Sequence, residues 1–238
     1  MKVIKLLLLS LITLLIGSCI TTRNDIKNID ALTAKSTYRL VSSSGHGSAV
    51  AVKAPSGKVY LISNMHVCIN SINRMMFAVN YENKSELVKV VHISYDTDLC
   101  LLSAPKDAVA ITKSKRTIYQ NDKVYAVGYM NRAGFRQARD GYIIRTGNGT
   151  LNLGANFSGC GKGKTFKISY TIATGQQAEI CLLNINSYVL NMSIAPGVSG
   201  GPLVDEYGQL IGIMYGTENN ITAMAIPLTN VKKYIKNR

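Results

Sequence analysis

The feature that most constrains this chain is the spacing of its apolar runs. Past residue 36, short runs rich in β-branched and aliphatic residues alternate with turn signals. The runs are 47-GSAVAVK-53, 58-KVYLIS-63, 74-RMMFAVNY-81 and 86-ELVKVVHI-93. Later come 123-KVYAVGYM-130, 165-TFKISYTIA-173, 179-EICLLN-184, 209-QLIGIMYG-216 and 221-ITAMAI-226. Pro55-Ser56-Gly57, Asn121-Asp122, Gly147-Asn148-Gly149 and Gly161-Lys162-Gly163 punctuate them. Short strands at such intervals predict an all-β sandwich or barrel. A length of 238 residues with 47% hydrophobic content allows one β fold or two compact lobes. The weakly patterned 103-SAPKDAVAITKSKRTIYQ-120 reads as a link between lobes. Only the tail after Pro227 reads as helix, with Thr229 or Asn230 as cap and Val231, Tyr234 and Ile235 as its apolar stripe.

The first residues, MKVIKLLLLSLITLLIGSCI, read as a targeting segment. Lys2 and Lys5 precede a short apolar core, Leu6 to Ile16, which suits a signal peptide over residues 1–18 better than a spanning helix. Ile16-Gly17-Ser18-Cys19 resembles the lipobox of bacterial lipoproteins, which implies cleavage before Cys19 and a lipid on its thiol. Polar, patternless residues follow, so 19–36 is expected to be a lipidated cysteine and tether. That places the protein at a bacterial envelope membrane; the alternative is an ordinary secretory signal. Loss of Lys2 and Lys5 lowers the formal charge from +14 to +12. The lysines are scattered singly, so a specific nucleic-acid role is not expected, and adsorption to anionic lipids or glycans is the milder reading. Cys68, Cys100, Cys160 and Cys181 allow three pairings. Cys160 and Cys181 flank an expected hairpin and are the preferred pair. No cysteine or histidine spacing suggests a metal site, and no cofactor is expected.

The chemistry starts from 196-PGVSGGPLV-204, a serine among glycines before an apolar run. Acyl transfer by Ser199 needs a general base and donors for the developing oxyanion. Gly197 and Ser199 supply adjacent amides on a turn that glycine permits; a plain surface loop also favours these residues. The available bases are His46, His66 and His92. His66 stands where the apolar strand in 61-LISNMHVC-68 ends, whereas His46 lies in a glycine-flanked loop and His92 within a strand pattern. Asp98 directly precedes LCLL, an apolar run, and a carboxylate there is costly to bury without a partner such as imidazolium. Asp96 reads as a wetter turn residue.

Together ISNMHV, DTDLCLL and GVSGGPLV give the order His, Asp, Ser, which resembles chymotrypsin-fold serine proteases and most closely their HtrA-type branch. The segments 45-GHGSAVAV-52, 122-DKVYAVGYM-130, 207-YGQLIGIMYG-216 and 224-MAIPLTNV-231 resemble that family's strands and closing helix. The resemblance spans about residues 38 to 235. It implies two six-stranded antiparallel β-barrels, about 37–105 and 121–228, followed by a helix at about 229–237, in a protease domain of 37–238. It also implies Ser199 as nucleophile, His66 as base and then acid, Asp98 as orienting carboxylate, and Gly197 and Ser199 as the oxyanion hole. Ser193, Met214, Tyr215 and Gly216 are its implied substrate-binding positions, with a polypeptide pairing along 213–216.

Val198 departs from the family, which usually carries a polar or acidic residue before the nucleophile. Valine cannot pair with a newly cut N-terminal ammonium, so that zymogen switch is not expected; a looser oxyanion loop with poor activity is the other possibility. The chain ends seven residues after Val231, where HtrA-type proteins usually continue into PDZ domains, so PDZ gating is not implied. With no acid at Ser193, a small or aliphatic residue is expected before the cleaved bond, and the loop 146–163 is expected to shape the pocket. The leading expectation is a membrane-tethered serine endopeptidase. Its rival is a protease-like lipoprotein of little turnover that captures peptides or shields the envelope.

Overall fold

The computed structural model describes residues 25–43, 45–69, 71–131, 134–219, 221–236 and 238. The signal over 1–18 and Cys19 lie outside the described residues. Strands β1 (Thr37–Ser42), β2 (Gly45–Lys53), β3 (Val59–Asn64), β4 (Met75–Val79), β5 (Ser85–Ser94) and β6 (Leu99–Ser103) close into a barrel in the order β1-β2-β3-β6-β5-β4. The chain then runs without a regular strand to β7 (Lys123–Gly128), touching the next sheet through an isolated bridge between Lys113 and Leu210. Strands β8 (Gln137–Gly154), β9 (Thr165–Thr171), β10 (Gln177–Asn191), β11 (Pro202–Val204), β12 (Leu210–Asn219) and β13 (Thr222–Pro227) complete a seven-stranded sheet with β7.

The second lobe was expected to hold six strands and holds seven. One edge of the long β10 pairs first with β9, over Gln177–Leu183, and then with β13, over Tyr188–Asn191. The β10–β13 pairing closes a ring of β13-β12-β11-β7-β8-β10, and β9 stays outside it. Gly147-Asn148-Gly149, read as a turn, lies inside β8 and pairs with Ser187, Asn186 and Ile185 of β10. The two glycines and the charged, half-exposed pattern of β8 hid a strand whose partner lies far along the chain. The expected loop over 146–163 is therefore strand as far as Gly154.

The alternation along each strand explains why the sequence lacked polar interruptions. Ala49 and Ala51 of β2 point into the first barrel with Leu40, Leu61, Val90 and Leu102. Val50 and Val52 point the other way, into a shared cluster with Ile62, Leu101, Tyr125, Val127, Ile213 and Tyr215. Val124 and Ala126 of β7 fill the second barrel with Leu190, Leu203, Ile211 and Met214. Strands buried on both faces read as continuous apolar runs. Cores of this kind stabilise by roughly 25 cal/mol for each Å² of apolar surface removed from water.

Two termini differ from expectation. Of the expected tether, residues 25–33 form a helix, α1, followed by a 3-10 turn at Ala34–Ser36. Ile29 is buried in the shared cluster, and Arg136 donates to both Asp30 carboxylate oxygens at 2.8 and 2.9 Å. Its buried face is short, Ile26, Ile29 and the polar Thr33, and with a distant ion pair it gives too weak a periodic signature to read as a helix. The C-terminal helix α3 (Leu228–Ile235) starts at Leu228 with Pro227 at its N-cap and no side-chain cap, so neither Thr229 nor Asn230 caps it. Its stripe is as expected: Val231 and Ile235 are buried and Tyr234 packs beside them.

Candidate active site

Strand β3 ends at Asn64, where the chain turns into a single helical turn, α2 (Met65–Cys68), that carries His66. Asp98 sits just before β6, which pairs with β3, so the ladder brings the two residues together. Asp98 adopts the left-handed region, φ 50°, a conformation tolerated by aspartate. Its carbonyl accepts hydrogen bonds from the Met65 amide (3.0 Å) and the Asn64 side chain (3.1 Å). Its fully buried carboxylate accepts from the His66 amide at 3.0 Å and faces His66 Nδ1 at 2.8 and 3.0 Å. The cost of burying the carboxylate is offset by these partners.

Burial alone would push the His66 imidazole down. The Asp98 charge and hydrogen bond outweigh burial and hold His66 above its ordinary value. A disulfide between Cys68 and Cys100 braces the pair, each cysteine lying two residues beyond a member of it. The second disulfide joins Cys160 to Cys181, the preferred pair.

The serine turn comes from the other lobe and is held by the first. Gly197 has φ 100°, a region costly for residues with a Cβ. The His46 ring also packs against it, and a Cβ there would lie 2.6 Å from Nε2. The Ser199 carbonyl accepts from the Ser48 amide of β2 at 2.8 Å. At the adjacent Gly47, a Cβ would lie 2.7 Å from Val67 and 3.2 Å from the Ser199 carbonyl, so glycine lets the segments of His66 and Ser199 converge on β2. The Ser199 hydroxyl donates to the Tyr215 carbonyl at 3.3 Å. Among the described residues, the Gly197 and Ser199 amides donate to no protein acceptor.

The remaining expected positions divide. Ser193 is exposed, but Met214 and Tyr215 bury their side chains completely, so they can offer a ligand only main chain. The Tyr215 hydroxyl is occupied inside the lobe, 2.7 Å from Ser187 Oγ. The β11 ladder along β12 ends at Met214, whose amide and carbonyl bond Gly201 and Gly200 at 2.9 and 2.8 Å. Gly216 follows on that strand. Val198 is buried with Leu190, Met192 and Met214, which anchors the turn rather than loosening it. His92 is structural: its Nδ1 lies 3.0 Å from the Tyr234 hydroxyl and ties β5 to α3. Ser48 was missed from sequence, and His46, weighed as a base in a glycine-flanked loop, lies instead in β2 with its ring against Gly197.

Two lobes, a His–Asp pair on one and a glycine-turn serine on the other define a class, that of trypsin-like peptidases. The trypsin-like peptidase domain matches residues 47–213, and the chain belongs to that family. It is similar to the serine protease Do-like HtrA of Bacillus subtilis, 28% identical over 199 residues, covering 79% of this chain and 38% of the relative. The Do-like HtrB of the same organism is 30% identical over 200 residues, covering 79% and 37%. The chain thus spans under two fifths of these curated relatives. Among solved structures, the active form of the Rv3671c protease from M. tuberculosis superimposes with a TM-score of 0.62 at 18% identity, over 86% of this chain and 81% of that one. The expectation of a trypsin-like serine protease of the HtrA type is borne out at the level of the family.

Proposed function

We propose that this chain hydrolyses peptide bonds through an acyl-enzyme formed on Ser199. Asp98 accepts a hydrogen bond from the Nδ1–H of His66, which keeps the proton on Nδ1 and leaves Nε2 as the basic nitrogen. After a rotation of the serine side chain away from the Tyr215 carbonyl, Nε2 takes the Ser199 proton as Oγ attacks the scissile carbonyl. The oxyanion accepts from the Gly197 and Ser199 amides. His66 then returns the proton to the leaving amine, and water repeats the sequence to release the acid. The observation that carries this reading is the buried Asp98 carboxylate held 2.8 Å from His66 Nδ1.

The substrate is an extended polypeptide that pairs along β12 near Gly216. The residue before the scissile bond is small or aliphatic, because Ser193 supplies no acid for a basic side chain. A lipid on Cys19 holds the protein at a bacterial envelope membrane, with 20–24 and the packed α1 as the connection. Cys19→Ser should release the protein from membranes, and unchanged retention would remove the lipid from the proposal. The catalytic reading is tested by exposing the full chain to a fluorophosphonate probe with Ser199→Ala as control. Labelling of the parent alone is expected; a folded parent that stays unlabelled is a peptide-binding relative and not an enzyme.

A further inference from the structure

We infer that Ser48 is a positioning residue for the oxyanion amides, acting from the first barrel on a turn that belongs to the second. The inference rests on the reading of Ser199 as nucleophile and of the Gly197 and Ser199 amides as donors.

In a trans peptide the N–H points opposite to the preceding carbonyl, so a donor is aimed by whatever holds that carbonyl. The Pro196 carbonyl accepts from the Asn131 amide at 2.9 Å, which aims the Gly197 N–H. The Val198 carbonyl accepts from the Gly201 amide at 2.8 Å, which aims the Ser199 N–H. Between these two planes lies the Gly197–Val198 peptide, whose tilt sets the angle between the donors. Glycine at φ 100° gives that peptide freedom to turn. Its carbonyl is held by the Ser48 hydroxyl at 2.7 Å.

The direction of that hydrogen bond is fixed by chemistry. Ser48 Oγ also receives the Tyr129 amide at 2.9 Å. An amide N–H only donates and a carbonyl only accepts, so the hydroxyl proton is committed to Gly197. Ser48 itself has no slack. It is fully buried, its amide donates to the Ser199 carbonyl at 2.8 Å, and its carbonyl accepts from Ser63 Oγ at 2.7 Å. One residue, through its hydroxyl and its amide, thereby links β2, the residue after β7 and both sides of the serine turn. Removing the hydroxyl leaves a buried N–H and a buried C=O unmatched and frees the middle peptide.

The test compares Ser48→Ala and Ser48→Cys with the parent full chain. The concentration of competent sites comes from the fluorophosphonate end point, kcat and KM from a peptide substrate, and affinity from a peptidyl aldehyde. Ser48→Ala should lower kcat per titrated site about 10- to 100-fold, less than or near the loss of a direct oxyanion donor. KM should stay within about twofold, because ground-state binding does not use the oxyanion amides. Aldehyde affinity should fall by a factor similar to that of kcat, and the pH midpoint should not move. Ser48→Cys keeps the volume with a poorer donor and should fall between parent and alanine. If either variant keeps the parental kcat per titrated site, its loss confined to the titratable fraction or to thermal stability, Ser48 only fills space. Ser48→Cys carries the test should the alanine variant not fold. A parent without turnover, or turnover that survives Ser199→Ala, would instead overturn the serine-hydrolase reading itself.

Discussion

His66 is subject to opposed forces, and their balance can be read from its titration. Burial lowers its proton affinity, the Asp98 charge and hydrogen bond raise it, and the raising influences win. In the proposed mechanism the working form of His66 is neutral, so kcat/KM should rise with pH along a limb centred above about 6.5, the ordinary histidine value. Asp98→Asn removes the raising causes and leaves burial, so the limb should drop below that value while kcat falls on the order of 10⁴-fold. A limb that does not move between parent and variant would show that Asp98 does not govern His66. The sign for stability follows the same balance. The pair stabilises the fold fully below the unfolded value of about 6.5, and its contribution is lost as pH rises through the raised folded value. His66, Asp98 and Ser199 were legible because each carries a chemical demand that its neighbours in sequence explain. Ser48 was not, since a serine followed by an apolar strand looks like any strand entry. Only the partners at Gly197 and Tyr129, remote in the chain, reveal its use.

At the scale of elements, the His66–Asp98 pair depends on two short segments that have little structure of their own. Helix α2 is one turn long, and the turn before β6 is held open by a left-handed Asp98. The disulfide Cys68–Cys100 closes a loop of 32 residues between them. In the chain-entropy view, opening such a loop costs about 3–4 kcal/mol. The double variant Cys68→Ala with Cys100→Ala should lower the denaturation free energy by about that amount and reduce kcat, through a looser His66–Asp98 geometry. Loss of Cys160–Cys181 should lower stability with a smaller loss of kcat, because that bridge ties the 157–163 segment to β10 and does not flank His66 and Asp98 directly. Equal effects on kcat from the two bridges would contradict this division of labour. Strands β2, β3, β7 and β13 were legible in sequence because both of their faces are apolar, and β4 and β5 because β-branched and aliphatic residues fill alternate positions. Strand β8 was not, since its glycines and charges are acceptable only beside β10. Helix α1 was not either, because its apolar face is only Ile26 and Ile29 and the rest of its docking rests on the remote Asp30–Arg136 pair.

The whole molecule places the proposed reacting groups on different lobes, so the proposed site exists only while the lobes stay together. His66 and Asp98 come from the first barrel, whereas Ser199 and the amides come from the second. What joins the lobes is the shared cluster, which draws Val50, Ile62 and Leu101 from one side and Tyr125, Val127 and Ile213 from the other. Each barrel has its own smaller interior, centred on Leu40 and Leu102 or on Leu190 and Leu203. Barrels separated by a polar boundary would unfold in two steps. A boundary with an extensive apolar cluster makes either lobe expose a core when its partner opens, which couples the two transitions. Thermal unfolding should therefore be a single transition, and fluorophosphonate labelling should vanish with it. Ile62 is fully buried on the boundary side of β3, far in sequence from Ser199. Ile62→Ala should cost about 2–5 kcal/mol and shift the whole transition downward without splitting it. Two resolved transitions in that variant, with the second lobe melting at the parental temperature, would mean that the barrels are independent and that their contact does not hold the site together.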